Sequence, residues 1–143
     1  MLFLEAAQKR FLQVIESLLH TPYLWGGDDP TGFDCSGLVV EGLKSAGLIG
    51  LREDFSAEGL WQHFKEGNES ITPGVGFLAF WFEPRGIANH VAVCLDQYHC
   101  ITADGGGSRV KSIEDAIRYN AYIKIRPIKH RKTDPKFLNI FQP

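Results

Sequence analysis

The sequence has few cysteines, no long apolar run and no excess of positive charge. Three cysteines in 143 residues cannot form a complete disulfide set, so the sequence predicts free thiols rather than a disulfide framework. No stretch approaches the roughly 20 apolar residues that a transmembrane helix needs, so no integral membrane segment is expected. The formal net charge of -2 gives no electrostatic reason to expect nucleic acid as a partner.

The N-terminus also lacks the features of an export signal. It has no basic n-region, and Glu5, Lys9 and Arg10 interrupt the apolar residues that would form a signal-peptide core. We therefore expect a protein that is made in the cytoplasm and lacks its own export route. Met1, followed directly by a helical pattern, favours a complete reading frame, and the length predicts a single domain over residues 1–143.

Helical patterns come first in the chain and strand patterns later, which predicts an α+β domain. Apolar residues at i, i+3 and i+4 spacing predict a helix over residues 2–19. A second, buried helix is expected to start at Cys35 and to end near Gly47, a residue type favoured just after a helix. Ser56 and Ser112 are placed to cap two further short helices.

Short apolar runs bounded by turn residues predict the strands. These are Gly76–Phe82, His90–Leu95, Cys100–Asp104 and Ala121–Arg126. The second and third are expected to form a hairpin with its turn over residues 96–99. In the last strand the alternation predicts that Ile123 and Ile125 face the core. The basic and apolar tail from Lys129 gives no clear pattern.

Cys35 is the candidate nucleophile. It lies between a segment rich in Gly, Pro and Asp, which predicts a loop, and the start of a helix. A thiol in that position faces unpaired backbone N–H groups and the positive end of the helix dipole, which favour the thiolate. Cys94 and Cys100 lie in apolar strand patterns and are expected to be buried, inert thiols.

His90 is the candidate base that would take the proton of Cys35. A histidine at the start of a strand can reach a thiol at the start of a helix when the two ends face each other. The other histidines lie near helix ends, in a turn or in the basic tail: His20, His63, His99 and His130. A lone strand histidine is more often a hydrogen-bonded core residue, so the assignment depends on its combination with Cys35.

Three segments carry a family resemblance: Pro-Tyr-Leu-Trp-Gly-Gly at residues 22–27, Gly-Phe-Asp-Cys-Ser-Gly-Leu-Val at 32–39 and His-Val-Ala-Val at 90–93. They resemble the NlpC/p-sixty family of papain-like cysteine peptidases of the bacterial cell wall. The resemblance covers nearly the whole chain and is most specific around Asp-Cys-Ser-Gly. It implies a papain-like α+β fold with the nucleophile at a helix N-terminus packed on a central antiparallel sheet.

The same resemblance implies roles for individual residues. Cys35 would be the nucleophile and His90 the general base and acid, while Tyr23 would place its hydroxyl near the developing oxyanion. Core packing is the alternative for Tyr23.

The resemblance also implies a substrate cleft. Asp34 and Ser36 would bind the free amine of a stem peptide, and Trp25 would be a further substrate contact. A helix-capping carboxylate is the equally weighted alternative for Asp34.

The group that orients His90 departs from the family pattern, in which a polar residue, often histidine, stands on the next strand. A hairpin centred on Asp96 places Thr102 at the matching position, on the same sheet face as His90. Asp104 lies two residues further on that face. It is the alternative third catalytic residue and also a candidate substrate contact.

No cofactor is implied and no metal is expected. Cys94, Cys100, His90 and His99 are close in the sequence, but the two cysteines lack the short ligand spacing of a structural zinc site.

The function that the resemblance implies is hydrolysis of peptidoglycan stem peptides by a cysteine endopeptidase. The usual bond joins the γ-carboxyl of D-glutamate to a diamino acid. Two other classes stay open: a thiol acyltransferase or amidase with another substrate, and a catalytically silent wall-binding or tail-structural module.

The missing export signal predicts that another system delivers the enzyme to the cell wall. A phage tail, a lysis system or an injection (secretion) apparatus would do so and would provide a partner protein. A cytoplasmic enzyme that recycles wall fragments, or a chain stripped of its leader, is the alternative.

Overall fold

The computed structural model describes residues 2–29, 32–105 and 107–142 and contains four α-helices within them. They are α1 (Leu2–Ser17), α2 (Cys35–Ser45), α3 (Ala57–Phe64) and α4 (Ile113–Arg118). Helix α2 begins at Cys35, as predicted, and beyond its end Gly47 has a φ of 75°, a left-handed conformation that glycine adopts readily. No helix in these ranges has the length and apolar character needed to cross a membrane.

The two predicted serine caps are confirmed. The side chain of Ser56 accepts a hydrogen bond from the Gly59 backbone N–H at 3.0 Å, at the start of α3. The side chain of Ser112 accepts one from the Asp115 N–H at 3.1 Å, at the start of α4. Each bond satisfies an N–H group that has no partner within its own helix.

The described strands form one small hairpin and one large antiparallel sheet. The hairpin pairs β1 (Asp28–Asp29) with β2 (Gly32–Phe33). The large sheet contains β3 (Glu69–Ser70), β4 (Leu78–Phe82), β5 (Ala88–Cys94), β6 (His99–Asp104), β7 (Tyr122–Pro127) and β8 (Lys136–Leu138). Its order is β3-β8-β4-β5-β6-β7, so the tail returns to pair beside β4. The predicted α+β class is confirmed.

The helices pack on one face of this sheet. Helix α2 contacts β5 and β6, and α3 contacts β5. The main core lies in this layer and contains, among others, Phe11, Leu38, Leu60, Phe80, Val91 and Ile101. A smaller apolar cluster includes Trp81, Ala92, Cys94, Cys100 and Ile128, which alternate with main-core residues along the strands.

One expected core residue is not in the core. Ile123 is fully buried, whereas Ile125 is 50% exposed, so the prediction for Ile125 was wrong. The reason is position in the sheet: β7 is an edge strand, and the helices pack mainly over β5 and β6. Alternation along a strand shows which face a side chain shares but not how far that face is covered.

The hairpin register also differs from the prediction. Val93 pairs with Ile101 and Cys94 with Cys100, which centres the β5–β6 turn on residue 97 instead of Asp96. When the centre of the turn moves by one residue, the partner of each β5 residue moves by two residues along β6. Side chains that were expected on one face of the sheet therefore stay on that face. Thr102 therefore shares a face with the side chain at residue 90 but lies diagonally from it.

A close approach between the loop before α2 and the helix itself holds the first turn in place. A Cβ on Gly37 would overlap the backbone carbonyl oxygen of Gly27. That same carbonyl accepts the backbone N–H of Asp34 at 3.0 Å, so it cannot move away without losing a hydrogen bond. Only glycine fits at position 37.

We expect Gly37→Ala to lower the free energy of unfolding by about 1–3 kcal/mol, the usual cost of overpacking. Urea denaturation followed by circular dichroism measures it. Gly59→Ala is the matched control, because a Cβ there meets its nearest neighbour at 3.4 Å and alanine favours the helix. Equal stability of the two variants would contradict the argument.

Candidate active site

A cleft of about 540 Å³ opens at the start of α2 and the start of β5. It is lined by seven of the eight predicted site residues: Tyr23, Trp25, Asp34, Cys35, Ser36, His90 and Asp104. The eighth, Thr102, is fully buried and hydrogen-bonds His90. The fold therefore gathers into one place residues that come from the N-terminal loop, a helix and two strands.

The environment of Cys35 differs from the prediction. The pKa of the Cys35 thiol is raised to about 11, chiefly by burial and to a smaller extent by the nearby carboxylate of Asp34. Hydrogen bonds from the backbone N–H groups of Val91 and Ser36, and the charge of Arg131, act in the opposite direction but are outweighed. The expected thiolate at the helix start was therefore wrong for the free protein, because desolvation exceeds the effect of the helix terminus.

Asp34 caps the helix that carries the nucleophile. Its Oδ1 accepts hydrogen bonds from the Gly37 N–H at 2.7 Å and from the Ser36 hydroxyl at 3.3 Å. Its Oδ2 accepts the Gly26 N–H at 3.1 Å, which ties the preceding loop to the helix start. The capping alternative is thus observed, while the carboxylate also lines the cleft. Binding of an amine by Asp34 and Ser36 stays a prediction.

His90 is held on β5 by a buried partner. Its Nε2 lies 2.9 Å from the hydroxyl oxygen of Thr102, and its ring packs against Trp81 with centroids 5.3 Å apart. When Nε2–H donates to Thr102, Nδ1 keeps the lone pair that a general base needs. Burial, and then the positive charge of Arg131, lower the pKa of His90 well below its ordinary value. Both pKa shifts favour a neutral imidazole and a neutral thiol in the free site.

The two candidates for the third residue occupy different positions. Thr102 contacts the His90 ring directly, whereas Asp104 lines the cleft and its Oδ2 lies 3.7 Å from Nε2 of His130.

A β-bulge at Trp81 and Phe82 shifts the pairing of β4 with the start of β5, beside His90. Bulges bend a strand and re-aim its side chains, which is consistent with His90 reaching a cleft formed largely by helix and loop residues.

Tyr23 and Trp25 form the loop side of the cleft. Tyr23 is buried, and its backbone N–H donates to the carbonyl of Ala121 at 3.0 Å. Burial, followed by the negative charges possible at Cys35 and Asp34, raises its pKa far above the ordinary value, so the hydroxyl remains a proton donor. Trp25 is 56% exposed and stands at the rim.

The model of the NlpC/P60 family matches residues 20–127, which include all these side chains except Arg131 and His130. The chain belongs to the NlpC/P60 family. Among solved structures, the P60 domain of antigen MAP1204 from M. avium subspecies paratuberculosis has a TM-score of 0.69 at 21% identity and covers 99% of both chains. The fold is the α+β, papain-like one that the sequence resemblance implied.

The curated relatives of this NlpC/P60 chain are longer proteins. It is 28% identical to "Probable peptidoglycan endopeptidase LytE" of Bacillus subtilis (strain 168), covering 71% of this chain and 28% of the relative. It is 27% identical to "Murein DD-endopeptidase MepH" of Escherichia coli (strain K12), covering 90% of this chain and 49% of the relative. The chain thus spans about half or less of each of these two relatives.

Two residues of the NlpC/P60 chain near the cleft were missed by sequence reasoning. Arg131 lines the cleft, and the ring of His130 lies edge-on to His90 with centroids 5.9 Å apart. Both come from the segment after β7, the basic and apolar tail in which the sequence showed no clear pattern. No sequence signal could show that this segment folds back over β5, because the contact depends on where β7 ends.

Replacing Thr102 with valine is expected to lower kcat about tenfold, because the buried Nε2 of His90 would lose the hydroxyl with which it forms a hydrogen bond. Valine keeps the volume of threonine and removes only the hydroxyl. Thr102→Ser, which keeps the hydroxyl, is the control. A kcat for the valine variant equal to that of the serine variant, with an unchanged pH profile, would show that the hydrogen bond does not position His90.

Alkylation of Cys35 by iodoacetamide is expected to be slow at pH 7 and to rise about tenfold per pH unit toward pH 10, following the thiolate fraction. The reason is the raised thiol pKa of about 11. Mass spectrometry of labelled peptides measures the rate, with buried Cys94 and Cys100 as internal references. A rate independent of pH between pH 6 and 8 would show a preformed thiolate–imidazolium pair instead.

Proposed function

We propose that this NlpC/P60 domain is a cysteine endopeptidase that hydrolyses the stem peptides of peptidoglycan. The observation that carries the proposal is the shared cleft, in which Cys35 begins α2 and His90 is held by a hydrogen bond to the Thr102 hydroxyl. A nucleophile, a base and a group that orients the base form the minimum arrangement for acyl transfer. The names of the relatives LytE and MepH support peptidoglycan as the substrate class.

The neutral state of the free site determines how the reaction would begin. Nδ1 of His90 would accept the proton of Cys35 as the sulfur attacks the carbonyl carbon, because neither group is charged beforehand. The backbone N–H of Ser36 and the protonated hydroxyl of Tyr23 would stabilise the oxyanion. His90 would then protonate the leaving amine, and a water activated by the same imidazole would hydrolyse the thioester.

Recognition of the substrate would use the pocket beside the helix cap. A pocket of about 270 Å³ is lined by Asp34 and Ser36 together with Asp54, Ser56 and neighbouring glycines. Two carboxylates in one small pocket suit an ammonium group, so the free amine of a stem peptide would bind there. This would place the peptide chain across Cys35, because Asp34 and Ser36 flank the nucleophile in the sequence.

The bond that we propose joins the γ-carboxyl of D-glutamate to a diamino acid. Binding of a free amine at Asp34 would favour this choice, since that bond lies a short distance from the N-terminus of a trimmed stem peptide. The second candidate is the D,D cross-link between stem peptides, which the name of the relative MepH, a murein DD-endopeptidase, favours. Delivery to the wall by a phage tail or a secretion apparatus stays a prediction of the sequence.

Digestion of purified peptidoglycan, followed by mass spectrometry of the released muropeptides, tests the proposal. Fragments that end in D-glutamate and fragments that begin with the diamino acid support the γ-D-glutamyl cut, whereas loss of cross-linked dimers alone supports the D,D cut. Cys35→Ser is the control for contaminating hydrolases. Added amines that appear in the products would identify an acyltransferase, and no product at all would favour a silent wall-binding module.

A further inference from the structure

His90 belongs to a cluster of three side chains of the types that bind metal ions. His90, Asp104 and His130 each offer one ligand atom, and these atoms all lie within 4.8 Å of one another. They come from β5, from β6 and from the short helical turn after β7. We call this group the His-Asp-His cluster. It is distinct from the cysteine-containing set considered from the sequence, in which His99 lies on the surface against Asp96.

His130 presents an unpaired nitrogen lone pair to the cluster. Its Nδ1 lies 2.8 Å from the backbone carbonyl of Pro127, and a carbonyl only accepts, so Nδ1 carries the proton. Nε2 of neutral His130 therefore has a lone pair. The side chain is only 3% exposed, and Nε2 has no hydrogen-bond partner among the described residues.

The carboxylate of Asp104 lies next to the unpaired Nε2 of His130. Oδ2 of Asp104 lies 3.7 Å from Nε2 of His130, so a carboxylate that is 26% exposed at the cleft faces the lone pair of a buried imidazole. A buried lone pair that faces a carboxylate without a shared proton or cation is unfavourable. An ion between them would satisfy both at once.

We propose that the His-Asp-His cluster binds a divalent transition-metal ion of the Zn²⁺ class. Two imidazole nitrogens and one carboxylate oxygen are a ligand set that suits zinc, with a fourth position left for water. The bond from His130 Nδ1 to the Pro127 carbonyl is the outer contact that fixes the tautomer of a metal-binding histidine. The ligand atoms need only a small closure to reach bonding distance.

Binding of the ion would reversibly block His90 as a base. A neutral imidazole that gives one nitrogen lone pair to a metal carries its proton on the other nitrogen. Neither nitrogen of His90 could then accept the proton of Cys35. Arg131 lines the same cleft and its positive charge opposes a cation, so the ion would exchange rather than stay as a structural part.

Equilibrium titration of the untagged protein with Zn²⁺ against a chromogenic chelator tests the proposal. We expect one ion per chain, no competition by millimolar Mg²⁺, and at least about a tenfold loss of affinity in His130→Phe and in Asp104→Asn, because even loss of an outer contact costs 10–100-fold. Phenylalanine keeps a ring against Trp81, which His130 contacts with centroids 5.2 Å apart. His99→Phe is the matched control, since His99 is exposed and outside the cluster.

Cys35→Ser separates this proposal from the proposed function. The serine variant is expected to bind Zn²⁺ with unchanged affinity even though it cannot hydrolyse a peptide, so binding is decided whether or not the domain is an endopeptidase. Loss of binding in Cys35→Ser would overturn the proposal, because the thiol would then be a ligand. Absence of binding by the wild-type protein, or equal binding by His130→Phe, would overturn it as well.

Discussion

Cys35→Ser is expected to lower kcat/KM for stem-peptide hydrolysis by on the order of 10⁴- to 10⁶-fold, the size of effect seen when a catalytic nucleophile is removed. The sulfur begins α2, accepts N–H bonds from Ser36 and Val91, and lines the cleft. A serine hydroxyl has the same shape but ionises far less readily, and a neutral imidazole is a weak base for it. Release of a soluble muropeptide, followed by chromatography, measures the rate.

A second cysteine variant controls for structural damage in this experiment. Cys100 is fully buried in the smaller apolar cluster and does not line the cleft, so Cys100→Ala should retain the wild-type kcat/KM with a modest loss of stability. Cys35→Ser should melt at nearly the wild-type temperature, because the site is partly open to solvent. Residual activity of Cys35→Ser within about tenfold of the wild type would remove Cys35 as the nucleophile.

His90→Gln is expected to lower kcat by about 10²- to 10⁴-fold, the usual contribution of general acid–base catalysis, with a much smaller change in KM. Glutamine can still hydrogen-bond Thr102 but cannot exchange a proton with the thiol near neutral pH. The effect should therefore fall on the chemical step rather than on substrate binding. Steady-state kinetics with a soluble tripeptide fragment of the stem measures both constants. His63→Gln, which changes an exposed histidine on α3, is the matched control.

The double variant Cys35→Ser, His90→Gln tests whether the two residues act as one unit. Residues of one catalytic unit are strongly non-additive, so the double variant should be about as inactive as Cys35→Ser alone. Losses that multiply would show that His90 stabilises the protein or binds substrate independently of the thiol. Chemical denaturation of all three variants separates loss of the unit from loss of folding.

Local features of the chain were accessible from the sequence because they depend on neighbours within a few residues. Ser56 and Ser112 cap their helices as predicted, since a cap needs only a side chain and an N–H three residues later. The start of α2 at Cys35 follows from the same logic, with Asp34 in the capping position. The face shared by His90 and Thr102 was also predictable, because alternation along a hairpin survives a register shift of this kind.

Features that depend on the packing of distant segments were not accessible. The exposure of Ile125 follows from the edge position of β7, and β8 pairs with β4 although the tail showed no pattern. The pKa of Cys35 was predicted in the wrong direction, because the helix start was visible in the sequence and the burial of the thiol was not.

The sequence by itself determined the family, the α+β class and the two residues proposed for the chemistry, because short motifs specify a helix start, its cap and a strand histidine. Only the tertiary structure decided that Thr102 rather than Asp104 contacts His90, and that His130 and Arg131 reach the site. The physical reason is distance along the chain. A cap or an alternation is a local geometry, whereas the solvation and partners of a buried imidazole depend on segments that meet only after folding.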